Sequence, residues 1–215
     1  RSARTSATVE LAVAILHTPV ADPAPDPVVY LAGGPGGVSL AEHFIWLGGA
    51  DDWRDHPILS RRDMILVDQR GTGYSRPSLW CDDAGGETPE DCHRRLVDAG
   101  LDLAAYSTRE SAADLADLRL ALGVEQWNLY GSSYGTRLAL TVLRDHPDGI
   151  RSLVLEGVYP PDVVPAYHEY VDHALRALDE LATACAAETA CAARFGDIDE
   201  LLVTALQTAD DTPGS

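Results

Sequence analysis

The stretch "WNLYGSSYGTRLAL" (Trp127–Leu140) decides the fold of this chain. Its first residues predict a short apolar strand, and "TRLALTVLRDHP" predicts a helix that ends at Pro147. The turn between them fits the pattern G-x-S-x-G, with Ser133 at the centre. A nucleophile on a tight strand-to-helix turn needs small neighbours two residues away on each side. We therefore predict that Ser133 is a nucleophile. The alternatives are a helix-capping role and the adjacent Ser132, which lacks the symmetric glycines.

Strands and helices alternate on both sides of this turn. The helix Ser107–Gly123 has a capping box at its start and a glycine at its end. This alternation predicts an α/β fold with a mostly parallel sheet covered by helices, and a ligand site at the carboxyl ends of the strands. The other predicted strands are Val9–Leu16, Val28–Gly33, Met64–Gln69 and Arg151–Val158, and helices are predicted within Tyr167–Arg194 and Ile198–Leu206.

Two further turns follow predicted strands and should reach the same sheet edge as Ser133. They are "GGPGG" (Gly33–Gly37) and the segment Asp68–Ser75. Glycines let backbone N–H groups approach a substrate oxygen closely. The first loop and the N–H of Tyr134 could together form an oxyanion hole. A phosphate-binding loop is less favoured, because the chain has no lysine for a P-loop, and a merely flexible loop is the third interpretation.

The segments "LAGGPGG", "DQRGTGYSRP" and "WNLYGSSYGTRLAL…HPDGIRSLVLEGVYPP" together resemble the α/β-hydrolase superfamily, in its prolyl iminopeptidase and tripeptidyl aminopeptidase branch. The resemblance implies that Ser133 is the nucleophile and that Gly34 and Tyr134 are the oxyanion donors. It implies that Asp68 and Arg70 brace the adjoining loop. Residues 1–160 would form the N-terminal part of the hydrolase core, and residues 161–215 would belong to a helical cap over the active site.

Members of this branch release residues from peptide N-termini, and some relatives act on esters or amides. The resemblance therefore implies a serine aminopeptidase that works through an acyl-enzyme, with an esterase or other acyl hydrolase as the alternative. The ligand would be a peptide or a small acyl substrate, and no cofactor or metal is expected. Glu156, at the end of the strand before the cap, could bind the free amine of a substrate or could brace the cap.

The acid and histidine of a catalytic triad should follow the nucleophile along the chain in this fold. His146 lies at the far end of the helix after Ser133, roughly 15–20 Å away at about 1.5 Å per residue. His168 and His173 fall in the expected cap helix. The last two strands, which should carry the acid and the histidine, have no counterpart. We therefore expect a complementary C-terminal segment or chain that supplies them; a truncated, non-catalytic product is the alternative.

Charge and cysteine content bear on partners and location. The formal net charge of −18 disfavours binding to nucleic acid or to anionic membranes. Proximity favours pairing Cys81 with Cys92 and Cys185 with Cys191, each bond contributing roughly 2–3 kcal/mol to stability. Two disulfides would indicate an oxidising, extracytoplasmic location. Because the chain starts at Arg1 without a signal-peptide core, we expect that any leader has been removed.

Overall fold

The structure is a computed structural model that describes residues 8–41, 57–163 and 167–211, with side chains described except at 167–170 and 209–211. The chain forms two compact units, Arg1–Val163 and Val164–Ser215. The first unit contains the sheet and all three of the turns singled out above. The second contains helices alone in its described residues.

Five strands in the described part of the first unit form one sheet, in the order β1-β3-β2-β4-β5. Strand β1 is antiparallel to β3, and the other pairings are parallel. The carboxyl ends of the central strands therefore meet at one edge, as the alternating pattern predicts. The strands are β1 (Val13–Leu16), β2 (Val28–Leu31), β3 (Met64–Val67), β4 (Trp127–Ser132) and β5 (Ile150–Glu156).

Three α-helices of the first unit are described: α1 (Pro89–Asp98), α2 (Thr108–Ala121) and α3 (Tyr134–Asp145). The core lies between the sheet and helices α2 and α3. Strands β2, β3 and β4 contribute fully buried aliphatic side chains, and α3 contributes Leu138 and Val142. Helix α2 begins where predicted, because the Ser107 hydroxyl accepts a hydrogen bond from the Glu110 N–H. This packing fixes the start of α3, and with it the turn that carries Ser133.

Two elements differ from the sequence prediction. The first strand starts at Val13 rather than Val9, because its partner β3 ends at Val67. Before Val13 the pairing is reduced to an isolated antiparallel bridge between Glu10 and Arg76. The polar region that holds Cys81 and Cys92 contains helix α1, which the hydrophobic pattern did not predict. Its start was nevertheless visible in the sequence, since Thr88 caps the helix and Pro89 is its first residue.

The second unit contains α4 (Tyr167–Ala187), α5 (Thr189–Phe195) and α6 (Ile198–Asp211). Cys185 and Cys191 form a disulfide between α4 and α5. The carboxylate of Glu188 caps α5 by accepting hydrogen bonds from the N–H groups of Ala190 and Cys191. The predicted helical character of this segment is confirmed, and its role as a cap stays a prediction. No helix in the described residues combines the length and hydrophobicity needed to cross a bilayer.

Candidate active site

Ser133 occupies the turn between β4 and α3 in a backbone conformation that side chains rarely adopt. Its φ is 51° and its ψ is −118°, and it is the one non-glycine residue with positive φ in the described part of the chain. The side chain is exposed and makes no capping hydrogen bond to α3. The helix-capping interpretation of this serine is therefore wrong. A strained turn with a free hydroxyl at the sheet edge is the geometry expected of a nucleophile, and the catalytic role of Ser133 stays a prediction.

The glycines on either side of Ser133 are required by close backbone contacts. A Cβ on Gly131 would lie 2.5 Å from the carbonyl oxygen of Gly135. A Cβ on Gly135 would overlap the carbonyl oxygen of Leu31, at the end of β2. The turn can therefore close only with hydrogen at both positions. This is the physical basis of the G-x-S-x-G spacing in this chain.

The loop Gly33–Gly37 after β2, here called the oxyanion loop, lies directly against Ser133. A Cβ on Gly33 would lie 3.2 Å from the Cβ and 3.7 Å from the Oγ of Ser133. Gly34 has a φ of 108°, and a Cβ there would lie within 3 Å of the N atoms of Gly36 and Gly37. In the described part of the chain, the N–H groups of Gly34 and Tyr134 donate to no protein acceptor. Tyr134 follows Ser133 directly, and Gly34 follows Gly33, which lies against Ser133. The role of Gly34 and Tyr134 as oxyanion donors stays a prediction.

Asp68 and Arg70, expected as braces, are held by several polar contacts each. Asp68 is fully buried, and its carboxylate accepts hydrogen bonds from the N–H groups of Leu40 and Tyr74 at 3.0 and 2.9 Å. It thus joins the segment after the oxyanion loop to the turn after β3. Arg70 is 7% exposed and makes a forked ion pair with Asp114 on α2, with N–O distances of 2.5 and 2.7 Å. It thereby fixes the turn after β3 to α2.

Thr136 and Arg137 position the segment after β5, and no local pattern in the sequence indicates either role. The Thr136 hydroxyl donates to the Ser133 carbonyl at 2.6 Å and accepts from the Tyr159 N–H at 2.7 Å. Arg137 stacks over the ring of Tyr159 at 4.8 Å and donates to the carbonyls of Pro161 and Val163. Both residues lie within one turn of the nucleophile on α3. The segment is therefore tied to the same helix that begins at Ser133.

Glu156 is joined to the nucleophile through its backbone. Its carbonyl accepts the Ser133 N–H at 2.8 Å, and its exposed carboxylate accepts a hydrogen bond from the Tyr130 hydroxyl at 2.7 Å. This hydrogen bond is the main reason why the pKa of Tyr130 is raised to about 12. The carboxylate thus lies beside the turn, and its proposed contact with a substrate amine stays a prediction.

The histidines of the described first unit do not supply a base for Ser133. His146 caps the opposite end of α3, twelve helical residues from Ser133, a separation of roughly 18 Å. His17 pairs with Asp63 at 2.9 Å, at the start of β3 and so at the opposite edge of the sheet. His93 lies exposed on α1. His43 and His56 fall outside the described residues, and His168 and His173 belong to the second unit.

The predicted disulfides are both present, Cys81–Cys92 and Cys185–Cys191. The ligand atoms of Cys81, Cys92 and Glu87 lie within 4.8 Å of one another, a spacing that could suit a metal ion. Both sulfurs, however, belong to the disulfide, and the Glu87 carboxylate pairs with Arg95 at 2.7 Å. This cluster is therefore a structural brace beside α1.

Comparisons with known proteins indicate the family to which the chain belongs. Residues 26–190 match the family model of the alpha/beta hydrolase fold. The proline iminopeptidase of Xylella fastidiosa is 32% identical over 133 residues, which are 62% of this chain and 32% of that protein. That of Arabidopsis thaliana is 31% identical over 133 residues, which are 62% of this chain and 27% of that protein. The matched stretch thus spans about a third of the length of these relatives.

Among solved structures, a proline iminopeptidase from Mycobacterium smegmatis matches with a TM-score of 0.42 and 23% identity, over 67% of this chain and 39% of that one. An alpha/beta hydrolase fold protein from Chitinophaga pinensis matches with a TM-score of 0.48 and 21% identity, over 80% of this chain and 48% of that one. At these TM-scores neither structure carries an argument about function. The match of residues 26–190 to the family model shows that the chain belongs to the alpha/beta hydrolase fold family.

Proposed function

We propose that this chain is the nucleophile-bearing part of a serine hydrolase, an aminopeptidase that releases residues from peptide N-termini. The observation that carries the proposal is the exposed Ser133, held at positive φ between two glycines that admit no side chain. The similarity to proline iminopeptidases favours a peptide substrate over a simple ester.

In the proposed reaction, the Ser133 hydroxyl attacks the carbonyl carbon of the scissile amide and gives its proton to a histidine base. The tetrahedral oxyanion then forms beside the N–H groups of Gly34 and Tyr134, at the N-terminus of α3, where the helix dipole favours negative charge. The histidine passes the proton to the departing amine, which leaves an acyl-enzyme on Ser133. Water activated by the same histidine hydrolyses this ester and restores the serine.

The base and its acid are proposed to come from a complementary C-terminal segment or chain. In support, the described histidines of the first unit lie away from Ser133. Among described strands, β5 pairs only with β4, and its Val154 is 56% exposed, so one edge of the sheet is open to further strands. The expected Asp and His would follow such strands and reach the edge that carries Ser133.

Glu156 is proposed to bind the protonated amine of the substrate N-terminus. The carboxylate is exposed at the same sheet edge as Ser133, and its hydrogen bond from Tyr130 holds it in place. Glu156→Gln should raise KM for peptides with a free N-terminus and leave a blocked ester substrate unaffected. Equal effects on both substrates would rule the amine role out and leave a bracing role.

An extracytoplasmic location is proposed from the two disulfides, since such bonds persist in oxidising compartments. Titration of free thiols in denatured, unreduced protein isolated from its native host tests this. We expect no reactive thiol from the four cysteines. Four reactive thiols would remove the basis for export.

The decisive experiment treats the full-length protein with a fluorophosphonate probe and locates the label by mass spectrometry. Ser133 should be labelled, and Ser133→Ala should abolish both labelling and turnover. Aminoacyl and tripeptidyl arylamides should be cleaved faster than short acyl esters; the reverse order would indicate an esterase. An unlabelled Ser133 would favour a non-catalytic product. Denaturing electrophoresis of the same material should show either one longer polypeptide or a second polypeptide that carries the Asp and His; a single 23.0 kDa species with full activity would overturn the complementary segment.

A further inference from the structure

A cavity of about 1120 Å³ opens beside the oxyanion loop. Pro35 and Gly36 of that loop line it together with Tyr134, the residue after the nucleophile. Ligand sites for drug-sized molecules usually enclose about 300–1,000 Å³. This cavity is therefore large enough for several residues of a peptide, and it adjoins the candidate active site through Tyr134 and the oxyanion loop.

Much of the cavity wall is aromatic or apolar, formed by Tyr74, Leu79, Trp80 and Tyr106. Trp80 is 72% exposed and Tyr74 is 64% exposed. Large aromatic side chains left open beside a cleft mark surfaces that bind a ligand, since they bury much area for few immobilised torsions. The wall thus favours an aromatic or large apolar group.

Trp80 is held on a rigid segment although its side chain is exposed. Its carbonyl accepts a hydrogen bond from Arg95 on α1 at 2.9 Å, and the next residue, Cys81, is bonded to Cys92 of the same helix. Arg95 is itself paired with Glu87. A braced aromatic anchor loses little conformational entropy when a ligand packs on it. The disulfide and the Arg95 hydrogen bond therefore also fix the backbone of Trp80 to α1.

Gln69 adds a polar group to the wall. Its side chain is about nine-tenths buried, and its Nε2 has no hydrogen-bond acceptor among the described residues. A buried N–H without an acceptor carries a desolvation cost that a ligand can relieve. A peptide carbonyl oxygen entering beside Gln69 would be such an acceptor.

The charges around the cavity do not favour an ionic ligand. Arg70 lines it, but Asp114 and Glu110 compensate its charge. The remaining charged residues of the wall, Arg76 and Asp83, have opposite signs. The cavity therefore suits an uncharged part of a substrate rather than its free amine or carboxylate.

We propose that this cavity is a specificity subsite that takes an aromatic or large apolar side chain of a peptide substrate. The side chain packs on Trp80, and a neighbouring peptide carbonyl accepts a hydrogen bond from Gln69. This inference rests on the proposed function, because it concerns selection of the peptide that reacts with Ser133.

The test compares tripeptidyl arylamides that carry Phe or Ala at each position in turn, using the full-length protein. The wild type should prefer Phe at one position, and Trp80→Ala should lower the Phe-to-Ala ratio of kcat/KM about tenfold, mainly through KM. Trp80→Phe should restore most of the ratio. Leu120→Ala, an equally exposed apolar residue on α2 outside the cavity, is the matched control and should leave the ratio unchanged.

Gln69→Leu separates binding from structure. It should raise KM for the preferred peptide severalfold while leaving the melting temperature unchanged or higher, because it removes an unpaired buried N–H. A lower melting temperature with an unchanged KM would show that Gln69 serves the fold and would overturn its part of the subsite.

No preference for Phe, or a ratio that Trp80→Ala leaves unchanged, would overturn the subsite while peptide turnover still supports the proposed function. If the wild type cleaves neither peptides nor p-nitrophenyl acetate and Ser133 is not labelled, the proposed function fails instead. Calorimetric titration with the Phe tripeptide amide then decides the subsite by itself. Binding about tenfold weaker in Trp80→Ala supports it, and equal or absent binding overturns it.

Discussion

The backbone strain at Ser133 predicts that the protein is less stable with serine at this position than the turn geometry would allow with glycine. Ser133 has a φ of 51°, a region that glycine enters freely and other residues enter at a cost of about 1–3 kcal/mol. Ser133→Gly relieves this cost but adds about 0.5–1 kcal/mol of unfolded-state entropy relative to alanine. The difference predicts that Ser133→Gly is more stable than Ser133→Ala by about 1 kcal/mol.

Both variants lack the hydroxyl, so their comparison isolates the backbone. Since Ser133 makes no capping hydrogen bond, Ser133→Ala should stay within about 0.5 kcal/mol of the wild type. Urea unfolding followed by circular dichroism measures these differences, provided that the m-values agree. For a chain of this length, about 1 kcal/mol corresponds to a rise in Tm of about 2–4 °C. A Ser133→Gly protein no more stable than Ser133→Ala would refute the strain argument.

Three further predictions follow from contacts around the site and the sheet. Gly135→Ala should cost about 3 kcal/mol of stability and abolish fluorophosphonate labelling, because the added methyl group overlaps the Leu31 carbonyl. Gly86 has a positive φ, of 87°, but open space around it, so Gly86→Ala should cost only about 1 kcal/mol in the same urea assay. Equal costs for the two variants would contradict the steric argument. Arg70→Met should destabilise by about 3–5 kcal/mol in urea, because it leaves Asp114 partly buried without its cation; a cost below about 1 kcal/mol would show that water replaces the pair. Burial raises the pKa of Asp26, but hydrogen bonds from Asn128, Arg62 and Arg151 outweigh this effect and lower the pKa from 3.8 to about 2. The stability contributed by this carboxylate is therefore complete above about pH 4 and declines as the pH falls towards 2. The difference in unfolding free energy between wild type and Asp26→Asn should shrink over that interval, and a constant difference would contradict the assignment.

Much of the candidate site was predictable from local sequence. The spacing of Gly131, Ser133 and Gly135 after an apolar strand predicts the nucleophile turn, since a strand-to-helix turn is defined by few residues. The capping residues of α2 predict its start, and the same kind of signal at Thr88 and Pro89 marks α1, which hydrophobic periodicity alone missed. Both disulfide pairs followed from short separations of 11 and 6 residues.

Other roles depend on partners that are far away in the sequence. Asp26 lies in the proline-rich segment between β1 and β2, and it is buried at 3% exposure. Its partners Asn128 and Arg151 are 102 and 125 residues away, and only the pairing of β2, β4 and β5 brings them together. The contact of Thr136 with Tyr159 is likewise made by the return of β5 alongside β4. No local pattern identifies such residues.

The sequence by itself determined the alternation of strands and helices, the three glycine-bearing turns and the choice of Ser133 as the candidate nucleophile, because each of these depends on neighbours within a few residues. Only the tertiary structure decided that Gly135 must be glycine, because the Leu31 carbonyl at the end of β2 occupies the space that a side chain would need. It also decided that the exposed Trp80 lies on a cavity shared with the oxyanion loop. Steric contact and cavity shape arise from segments about 45 to 105 residues apart, and packing of the sheet against its helices sets those distances.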